Sequence, residues 1–448
     1  MTKSIPMVVG IAAILLFNII DTLFVGQLGA VELAAMSFTF PVTFIVLSVS
    51  MGLGIGATAV ISTAIGHGDD DRVRRLTTDG LILANVIVIA FAGTGLWVQA
   101  PLFRLLGAEP NMVPLILDYM TPWWWGVGLL VIPMVGNAAI RATGDMVTPS
   151  YVMLTSGFVN LILDPLFIFG IGPFPRLELQ GAAVATVISW SVTFFAALYF
   201  LIVREKMIEL SVPRVKDVLT SWRAILNVGL PAAATNVLTP LAGAALTRIV
   251  AGLGTPAVAA WGVANRLEGL SLVGVMALST AVTPFVGQNL GAGRCDRLRE
   301  AVRVSIGLCA GYGLAVAALL ALGAGPIARS FNDDAQVTGY VLSFLWTVPI
   351  SYTLLGVVQV VGSFFNGSQR PLRAAALSFI RLFVFGLPLA AAGAAVAGMS
   401  GLFVGSAVGN VGVGLVAIYM VRSLIDRHEE DLAAGQPPLP SVPAAAAT

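Results

Sequence analysis

The sequence contains few of the residues on which most soluble enzymes and secreted domains depend. Of its 448 residues, two are cysteine, two are histidine and only 10% are charged. Two cysteines form neither a disulfide framework nor a four-ligand zinc site, and two histidines leave little scope for imidazole chemistry. The 24 basic and 23 acidic residues give a net charge of +1, so the chain offers no basic face to a nucleic acid. These deficits exclude disulfide-stapled domains, nucleic-acid binders and most soluble enzymes.

Apolar residues, in contrast, make up 57% of the chain. Twelve apolar stretches are long enough to cross about 30 Å of hydrocarbon. We therefore expect an all-α polytopic membrane protein with twelve transmembrane helices. The first stretch begins almost at Met1 and contains Asp21, so we expect a retained span and not a cleavable signal peptide. The predicted spans are 5–27, 36–65, 80–100, 113–140, 149–171, 181–203, 225–251, 257–289, 303–324, 337–365, 373–395 and 399–422.

Positive residues are distributed asymmetrically between the predicted loops. With both termini in the cytoplasm, 18 of the 24 lysine and arginine residues fall on the inner side, three on the outer side and three within spans. Cytoplasmic loops of membrane proteins carry an excess of lysine and arginine. We therefore predict a multi-pass protein of the plasma (inner) membrane with both termini cytoplasmic.

The second half of the sequence repeats the first at a spacing of 225 residues, so that Pro6 corresponds to Pro231 and Arg104 to Arg329. Six crossings return the chain to its starting side, so the two copies should be related by a pseudo-twofold axis along the membrane normal. Two six-helix lobes facing each other across a cleft are typical of transporters, although duplication could also build a pore or a scaffold. The predicted organisation is an N-lobe (1–203), a cytoplasmic linker (204–224), a C-lobe (225–422) and a disordered cytoplasmic tail (423–448).

Three glycines at alternate positions, Gly52, Gly54 and Gly56, have the spacing of a phosphate-binding loop. They fall within the predicted span 36–65. We therefore expect them to allow close helix packing and not to bind a nucleotide.

Three acidic residues lie deep within predicted spans: Asp21, Asp164 and Glu268. A carboxylate near the bilayer centre costs at least about 2.5 kcal/mol, so such residues usually face the protein interior and carry function. Glu268 has Arg266 two positions away, which is the wrong spacing for a local ion pair on a helix. For Glu268, a structural ion pair and a functional site are equally good interpretations.

Polar residues accompany both aspartates at helical spacing. Asn18 and Thr22 share a helix face with Asp21, and Asn160 shares one with Asp164. Pro165 lacks an N–H and should free a backbone carbonyl one turn earlier. Oxygen ligands of this kind suit a proton or a small cation. Two further polar residues of the first half, Asn137 and Thr186, could add to the site or could simply join helices by hydrogen bonds.

Five motifs resemble those of the multidrug and toxic compound extrusion (MATE) transporters, specifically of their DinF-type branch: Asn18-Ile-Ile-Asp21-Thr-Leu-Phe-Val-Gly26, Arg141-Ala-Thr-Gly-Asp145, Asn160-Leu-Ile-Leu-Asp164-Pro165, Ala264-Asn265-Arg266-Leu-Glu268 and Pro284-Phe-Val-Gly-Gln-Asn289. The resemblance runs through nearly all twelve spans in order.

The resemblance implies a V-shaped fold of two six-helix lobes that exports organic, often cationic compounds in exchange for H+ or Na+. It implies that the coupling residues lie in the first lobe, at Asp21, Asn137, Asn160, Asp164 and Thr186. Na+ could bind at Asp21, Asn160 and Asp164, and we expect no structural metal and no resident cofactor. Burial and mutual repulsion should make the two aspartates load a proton as a coupled pair.

Substrate contacts are less clearly encoded in the sequence. Aromatic residues can line an adaptable cleft and attract organic cations, and we consider Phe38, Phe40, Trp261, Arg266 and Glu268 as cleft residues. The run Trp123–Trp125 lies toward a helix end, where tryptophans usually anchor a span at the membrane interface. We therefore expect these three to be interfacial anchors.

Several other functions remain open. A lipid-linked or polysaccharide flippase should have several basic residues in its cleft for pyrophosphate, and away from their ends the spans contain only Arg248, Arg266 and Arg381. An intramembrane aspartyl protease could use Asp21 and Asp164, but we expect a transporter and not an enzyme. A channel would gain nothing from the different polar residues of the two halves. The expected partners are small organic substrates and the lipid bilayer, with the chain acting as a monomer.

Overall fold

The computed structural model describes residues 5–209, 211, 214–331 and 334–433 of the chain. In this part the regular structure is helical, without a β-strand. Contacts between residues divide the chain into two units, Met1–Ala233 and Ala234–Thr448. The lobes, linker and tail that the sequence predicts have somewhat different limits and stay predictions.

The first unit contains six complete helices and the beginning of a seventh. A central helix, α4, packs against α2, α3 and α6, while α1 packs along α5. The last turn of α6 widens into a π-helix at Phe200–Arg204. The helices are α1 (Ile5–Leu28), α2 (Ala30–His67), α3 (Asp70–Leu105), α4 (Val113–Ala142), α5 (Val147–Phe169) and α6 (Glu178–Tyr199).

The tight turn between α2 and α3 follows from its sequence. Gly68 ends α2 in the left-handed conformation, with φ of 74°, which glycine adopts without steric cost. The Asp69 carboxylate accepts a hydrogen bond of 2.9 Å from the Arg72 N–H and so caps α3. Two more acidic residues, Asp70 and Asp71, stand in the first turn of α3, where the helix dipole favours negative charge.

The seventh helix, α7 (Val215–Ala251), begins ten residues before the predicted span and takes up part of the predicted linker. Its first half packs against the first unit, where the Trp222 indole N–H donates a hydrogen bond of 3.0 Å to the Asp79 carbonyl. A Cβ added at Gly56 would lie 2.4 Å from the Ile225 carbonyl oxygen, and one at Gly52 would lie 2.5 Å from the Gly229 carbonyl oxygen. The prediction that these glycines serve helix packing is confirmed.

The second unit consists of shorter and more interrupted helices. Its buried apolar side chains form two clusters, one around Phe344 and Phe403 and the other around Val361 and Phe364. The remaining helices are α8 (Thr255–Ser271), α9 (Val273–Gly291), α10 (Cys295–Leu322), α11 (Ala324–Phe331), α12 (Ala335–Thr347), α13 (Tyr352–Gly367), α14 (Pro371–Phe379) and α15 (Leu387–Ala433).

Three of the predicted spans of this unit contain breaks. The α8 and α9 helices meet at a bend of 45° next to Leu272. A 3-10 turn at Pro349–Ser351 separates α12 from α13, and a π-helical segment at Ile380–Gly386 joins α14 to α15. Interrupted helices within a membrane are tolerated where they line a protein interior or a cavity.

Nine helices of the described part are long and apolar enough to cross a membrane, or ten if the bent pair α8 and α9 counts as one crossing. Ala397 and Gly398 have non-helical backbone angles and divide α15 into two spans. With this division and with α1, the helices make up the twelve crossings that the sequence predicts. The α15 helix continues to Ala433, so residues 423–433 of the predicted tail are helical, and 434–448 lie outside the described residues.

Large apolar side chains cover the outside of both units. Ile89 is 61% exposed and Phe195 68% exposed in the first unit, and Leu319 is 70% exposed in the second. A soluble monomer rarely exposes apolar surface on this scale, whereas lipid tails solvate it readily. The exterior therefore suits a bilayer.

Candidate functional site

A buried polar cluster joins α5 to α6 in the first unit. The Asp164 side chain is only 1% exposed, and its Oδ1 accepts a hydrogen bond of 2.9 Å from the Asn160 amide nitrogen. The same nitrogen lies 3.4 Å from the Thr186 Oγ1 on α6. The α5 helix continues through Pro165, which has no N–H to offer the carbonyl of Leu161. The structure thus brings together Asn160, Asp164 and Thr186 as the sequence predicts.

The second aspartate of the site stands on α1, which packs along α5. Asp21 is half-buried, and its Oδ1 is enclosed without a hydrogen-bond partner among the described residues. The Asp21 and Asp164 carboxylates are close enough to interact electrostatically. A carboxylate removed from water without a counter-charge is strongly disfavoured, so this pair is a natural position for a proton or a cation.

Two neighbours of Asp21 were predicted to support it. Thr22 is half-buried on α1, next to Asp21. The side chain of Asn18 lies outside the described residues. The supporting role of both residues stays a prediction.

One member of the cluster was missed by sequence reasoning. Tyr119 on α4 is 7% exposed and interacts electrostatically with both Asp21 and Asp164. Its phenol can donate a hydrogen bond to a carboxylate or accept one from a protonated carboxyl. No spacing rule connects Tyr119 to either aspartate, because it comes from a different helix.

Asn137 does not join this cluster, contrary to the prediction. It is buried at 6% exposure, and its neighbour Gly136 faces Leu201, fifteen residues along α6 from Thr186. Along α4 itself, Asn137 is eighteen residues from Tyr119, or roughly 27 Å of helix. Asn137 shares the interior of the first unit with the aspartates but lies at another depth.

Ion coordination at the cluster would rely on few charged ligands. Within the described part of the chain, no group of three or more histidine, cysteine, aspartate or glutamate side chains could hold a metal. Asp21 and Asp164 supply two carboxylates, and Asn160 and Thr186 supply an amide and a hydroxyl. This set fits a proton, and fits Na+ only with the Asn160 oxygen turned inward.

The predicted cleft residues are divided between the units. On α2, Phe38 is half-buried and Phe40 is 51% exposed. On α8, the Trp261 indole N–H donates a hydrogen bond of 3.2 Å to Thr247 Oγ1, while Arg266 is exposed and Glu268 is half-buried. Their assignment to one substrate cleft stays a prediction.

The prediction that Trp123–Trp125 are interfacial anchors is wrong for two of the three. Trp123 and Trp124 are 3% and 4% exposed, and their rings meet edge to face at 5.1 Å. Trp123 also contacts Trp190 of α6, with ring centroids 5.9 Å apart. Only Trp125, at 76% exposure, points outward. The Trp123 indole is part of the packing between α4 and α6, and the Trp124 indole lies against Gly95 of α3.

A second polar junction lies at the turn between α4 and α5. Asp145 Oδ1 accepts hydrogen bonds from the N–H groups of Val147 and Thr148, at 2.8 and 3.1 Å. Arg204, at the end of α6, lies 3.5 Å from Asp145 and donates to Thr148 Oγ1 at 2.6 Å. Partial burial acts to raise the pKa of Asp145, but the hydrogen bonds from Thr148 and Val147 and the charge of Arg204 together lower it.

Comparison with known proteins agrees with this architecture. The family model described as MatE matches residues 6–166 and 231–392. The two matches begin at Pro6 and Pro231, the pair of positions that the internal repeat aligns. One family model thus matches both halves of this chain, in agreement with the internal repeat that the sequence predicts.

Individual relatives cover almost the whole chain. The chain is 38% identical to the FAD transporter of Shewanella oneidensis over 95% of this chain and 94% of that protein. It is 27% identical to the probable multidrug resistance protein YoeA of Bacillus subtilis over 83% and 81% of the two chains. The crystal structure of the Vibrio cholerae MATE transporter VcmN in the bent form matches with a TM-score of 0.87 and 30% identity, over 96% of this chain and 97% of that chain.

These matches confirm the twelve-helix fold class and the expectation that the chain is not an enzyme. The DinF-type branch is not separately resolved by them. The chain belongs to the MATE family of multi-pass membrane transporters.

Proposed function

We propose that this transporter exports organic compounds across the plasma membrane by antiport, driven by protons that load the Asp21 and Asp164 pair. The observation that supports this most strongly is the buried Asp164 carboxylate, held by Asn160 and close to Asp21, without a lysine or arginine among its described hydrogen-bond or ion-pair partners. Two acidic groups in such a site can both be stable only if a cation joins them.

The hydrogen bonds around Asn160 favour H+ over Na+ as the coupling ion. The amide nitrogen, not the amide oxygen, faces Asp164 and Thr186. An N–H donor stabilises a carboxylate but offers no electron pair to a metal ion. Na+ is the alternative, and it requires the amide of Asn160 to turn over.

Proton loading can be connected to transport through the helix bearing the site. Neutralising the pair removes the charge that Asn160 stabilises, so the hydrogen bonds near Pro165 rearrange. We propose that α5, and α2 at Pro41, then bend and convert the first unit from one access state to the other. One proton moving inward through 100 mV supplies about 2.3 kcal/mol, enough for about a fiftyfold gradient of a substrate that carries no net charge. Exchange of one proton for one monovalent organic cation moves no net charge, so the pH difference alone would drive it.

The substrate is an organic compound, and two chemical classes are supported. The chain is 25–27% identical to several relatives with multidrug resistance or multidrug export in their names, which supports amphipathic organic cations. The 38% identity to an FAD transporter supports a phosphate-bearing dinucleotide. Positive charge in the second unit favours the dinucleotide, because Arg248, Arg266 and Arg381 outnumber Glu268 within its predicted spans.

Reconstituted liposomes provide the test of coupling. Efflux of ethidium and of FAD should be measured under an imposed pH gradient and, separately, an imposed Na+ gradient. We expect the pH gradient to drive efflux in the unmodified protein, and Asp21→Asn and Asp164→Asn each to abolish it. Glu109→Gln, an identical change of charge at an exposed position, should leave efflux unchanged.

Two results would contradict the proposal. If Asp21→Asn exported as fast as the unmodified protein, the aspartate pair would not be the coupling site. Efflux driven by Na+ and not by H+ would keep the site but replace its ion. Each variant should first be shown to elute as a single species in detergent, so that loss of efflux is not loss of fold.

We also propose that the chain works as a monomer with both termini in the cytoplasm. The topology rests on the excess of lysine and arginine in the predicted inner loops. Cysteines introduced singly near Arg74 and near Arg329 should react with a membrane-impermeant thiol reagent from opposite sides of the membrane. Labelling of both from the same side would refute the topology.

A further inference from the structure

One arginine of the second unit makes no direct ion pair among the described residues. Arg381 follows the start of α14 by ten residues, roughly 15 Å of helix, and lies inside the π-helical segment Ile380–Gly386. It is half-buried. Among the described residues, no carboxylate oxygen comes within 4.0 Å of its guanidinium and no hydrogen bond reaches it. A guanidinium at such a depth is costly unless something satisfies its five N–H donors.

The opposite charge that acts on Arg381 is Glu268, on α8 just before the bend at Leu272. Glu268 attracts Arg381 electrostatically but is not in contact with it. Both residues are half-buried, so the space near them opens to the exterior of the unit. The two side chains are therefore not a direct ion pair, so the N–H donors of the guanidinium are left for another group.

A third polar group of this region is also without a partner. Tyr352 is 1% exposed, its hydroxyl has no hydrogen bond among the described residues, and it interacts electrostatically with Glu268. It begins α13, directly after the 3-10 turn Pro349–Ser351. Glu268, Tyr352 and Arg381 thus each adjoin a break in a different span. Broken helices in transporters are where substrates and ions are bound.

The charges of the second unit as a whole suit an anion. Arg266 is exposed on the same helix as Glu268, and Arg248 is exposed near the end of α7. With Arg381 these give three positive charges against one negative within the predicted spans of the unit, span ends excluded. A guanidinium presents two parallel N–H donors that match the oxygens of a phosphate.

We propose that Arg381 binds a phosphate group of the exported organic compound, and that this phosphate takes the place of Glu268 as the counter-charge of the guanidinium. The Tyr352 hydroxyl then donates a hydrogen bond to the Glu268 carboxylate. The second unit would thus recognise phosphate esters of aromatic compounds as its class of substrate. This assignment rests on the proposed function in that it identifies what the exporter recognises, and it involves neither Asp21 nor Asp164.

Binding of three flavins to the purified protein tests this directly. Riboflavin, FMN and FAD share one fluorescent ring and differ in their phosphates, so fluorescence anisotropy gives three comparable dissociation constants. We expect the unmodified protein to bind FMN and FAD at least about tenfold more tightly than riboflavin. In Arg381→Gln, the dissociation constants of FMN and FAD should rise to that of riboflavin. Arg329→Gln, the same change at an exposed position outside the predicted spans, should keep the preference.

Variants of Glu268 separate a binding role from a structural one. Removing Arg381 alone leaves Glu268 without its counter-charge, and the protein could then fail to fold. The double variant Glu268→Gln/Arg381→Gln has no such charge and should fold, yet should bind FMN no better than riboflavin. Glu268→Gln alone removes the competitor for the guanidinium and should bind FMN at least as tightly as the unmodified protein.

The outcomes that overturn the inference do not require a gradient. Equal binding of riboflavin and FMN by the unmodified protein would exclude a phosphate site. A phosphate preference that survives in the double variant, or that depends on Arg266 instead, would exclude Arg381. If the unmodified protein showed no gradient-driven efflux, the proposed antiport would be refuted. The binding result would still hold, because it is measured without a gradient.

Discussion

The contact between α2 and the first half of α7 makes a quantitative prediction about Gly56. A Cβ at this position would lie 2.4 Å from the Ile225 carbonyl oxygen and 2.9 Å from the Gly229 nitrogen. Both are backbone atoms, so no side chain can turn aside. Ordinary contacts of a Cβ begin at 3.4 Å, so the two helices would have to separate by roughly 1 Å.

This separation sets the expected stability of Gly56→Ala. Overpacking of a close helix contact costs about 1–3 kcal/mol, and replacing glycine by alanine within a helix returns up to about 1 kcal/mol. We expect a net loss of about 1–2 kcal/mol. The measurement is the midpoint of thermal unfolding in detergent, followed by size-exclusion chromatography of heated samples.

Other glycines provide matched controls. Gly93 on α3 has no atom within 4 Å of an added Cβ, so Gly93→Ala should be as stable as the unmodified protein or slightly more so. Gly54→Ala would meet the Ala138 Cβ at 3.4 Å and should be tolerated. If Gly56→Ala unfolds at the same temperature as Gly93→Ala, the close approach of α2 and α7 is refuted.

Three further predictions concern the polar contacts of the first unit. Asp145→Ala removes the acceptor at the start of α5 and should lower stability by about 1 kcal/mol, whereas Asp145→Asn, which still accepts hydrogen bonds, should lose less. Because the folded protein lowers the pKa of Asp145, this stabilisation is present at neutral pH and is lost as pH falls through that lowered pKa. Thermal unfolding at several pH values should therefore show that the unmodified protein and Asp145→Ala differ less in stability in acid than at neutral pH. Asn160→Ala removes the hydrogen bond to Asp164 and should slow pH-driven efflux about tenfold or more; an unchanged initial rate would contradict it. Trp222→Phe removes the bond to the Asp79 carbonyl, worth about 1 kcal/mol, and should increase hydrogen exchange in the first half of α7 only.

The number of spans and the position of the acidic site could be read from the sequence because both depend on strong local signals. Apolar stretches of about 20 residues have few alternatives to crossing a bilayer. Asp164 stood out because a charge is costly there, and Asn160 because it lies one turn away. Such arguments use residues near one another in the chain.

The height of a residue along the helix bundle, and its neighbours on other helices, could not be predicted from the sequence in the same way. Asn137 was placed with the aspartates because it is polar and interior, but helical periodicity gives a face and not a height along the bundle. Tyr119 was missed because it reaches the site from another helix. The break at Leu272 was also invisible, because no proline marks it and the apolar stretch continues through it.

Tryptophan positions illustrate the same limit. Trp123 and Trp124 follow one another in the first half of a predicted span, and tryptophans of a span are enriched at the membrane interface. They are buried because Trp190 of α6 lies opposite Trp123 and Gly95 of α3 lies against Trp124. Only the packing of two helices distant in sequence could show this.

The central claim is that Asp21 and Asp164 together take up a proton, and infrared difference spectroscopy of the reconstituted protein tests it most directly. Acidifying the sample over the pH range that drives efflux should produce the carbonyl band of a protonated carboxyl group in the unmodified protein. We expect the band to be lost in the double variant Asp21→Asn/Asp164→Asn and to be insensitive to Na+. A band of the same size in the double variant would contradict the account.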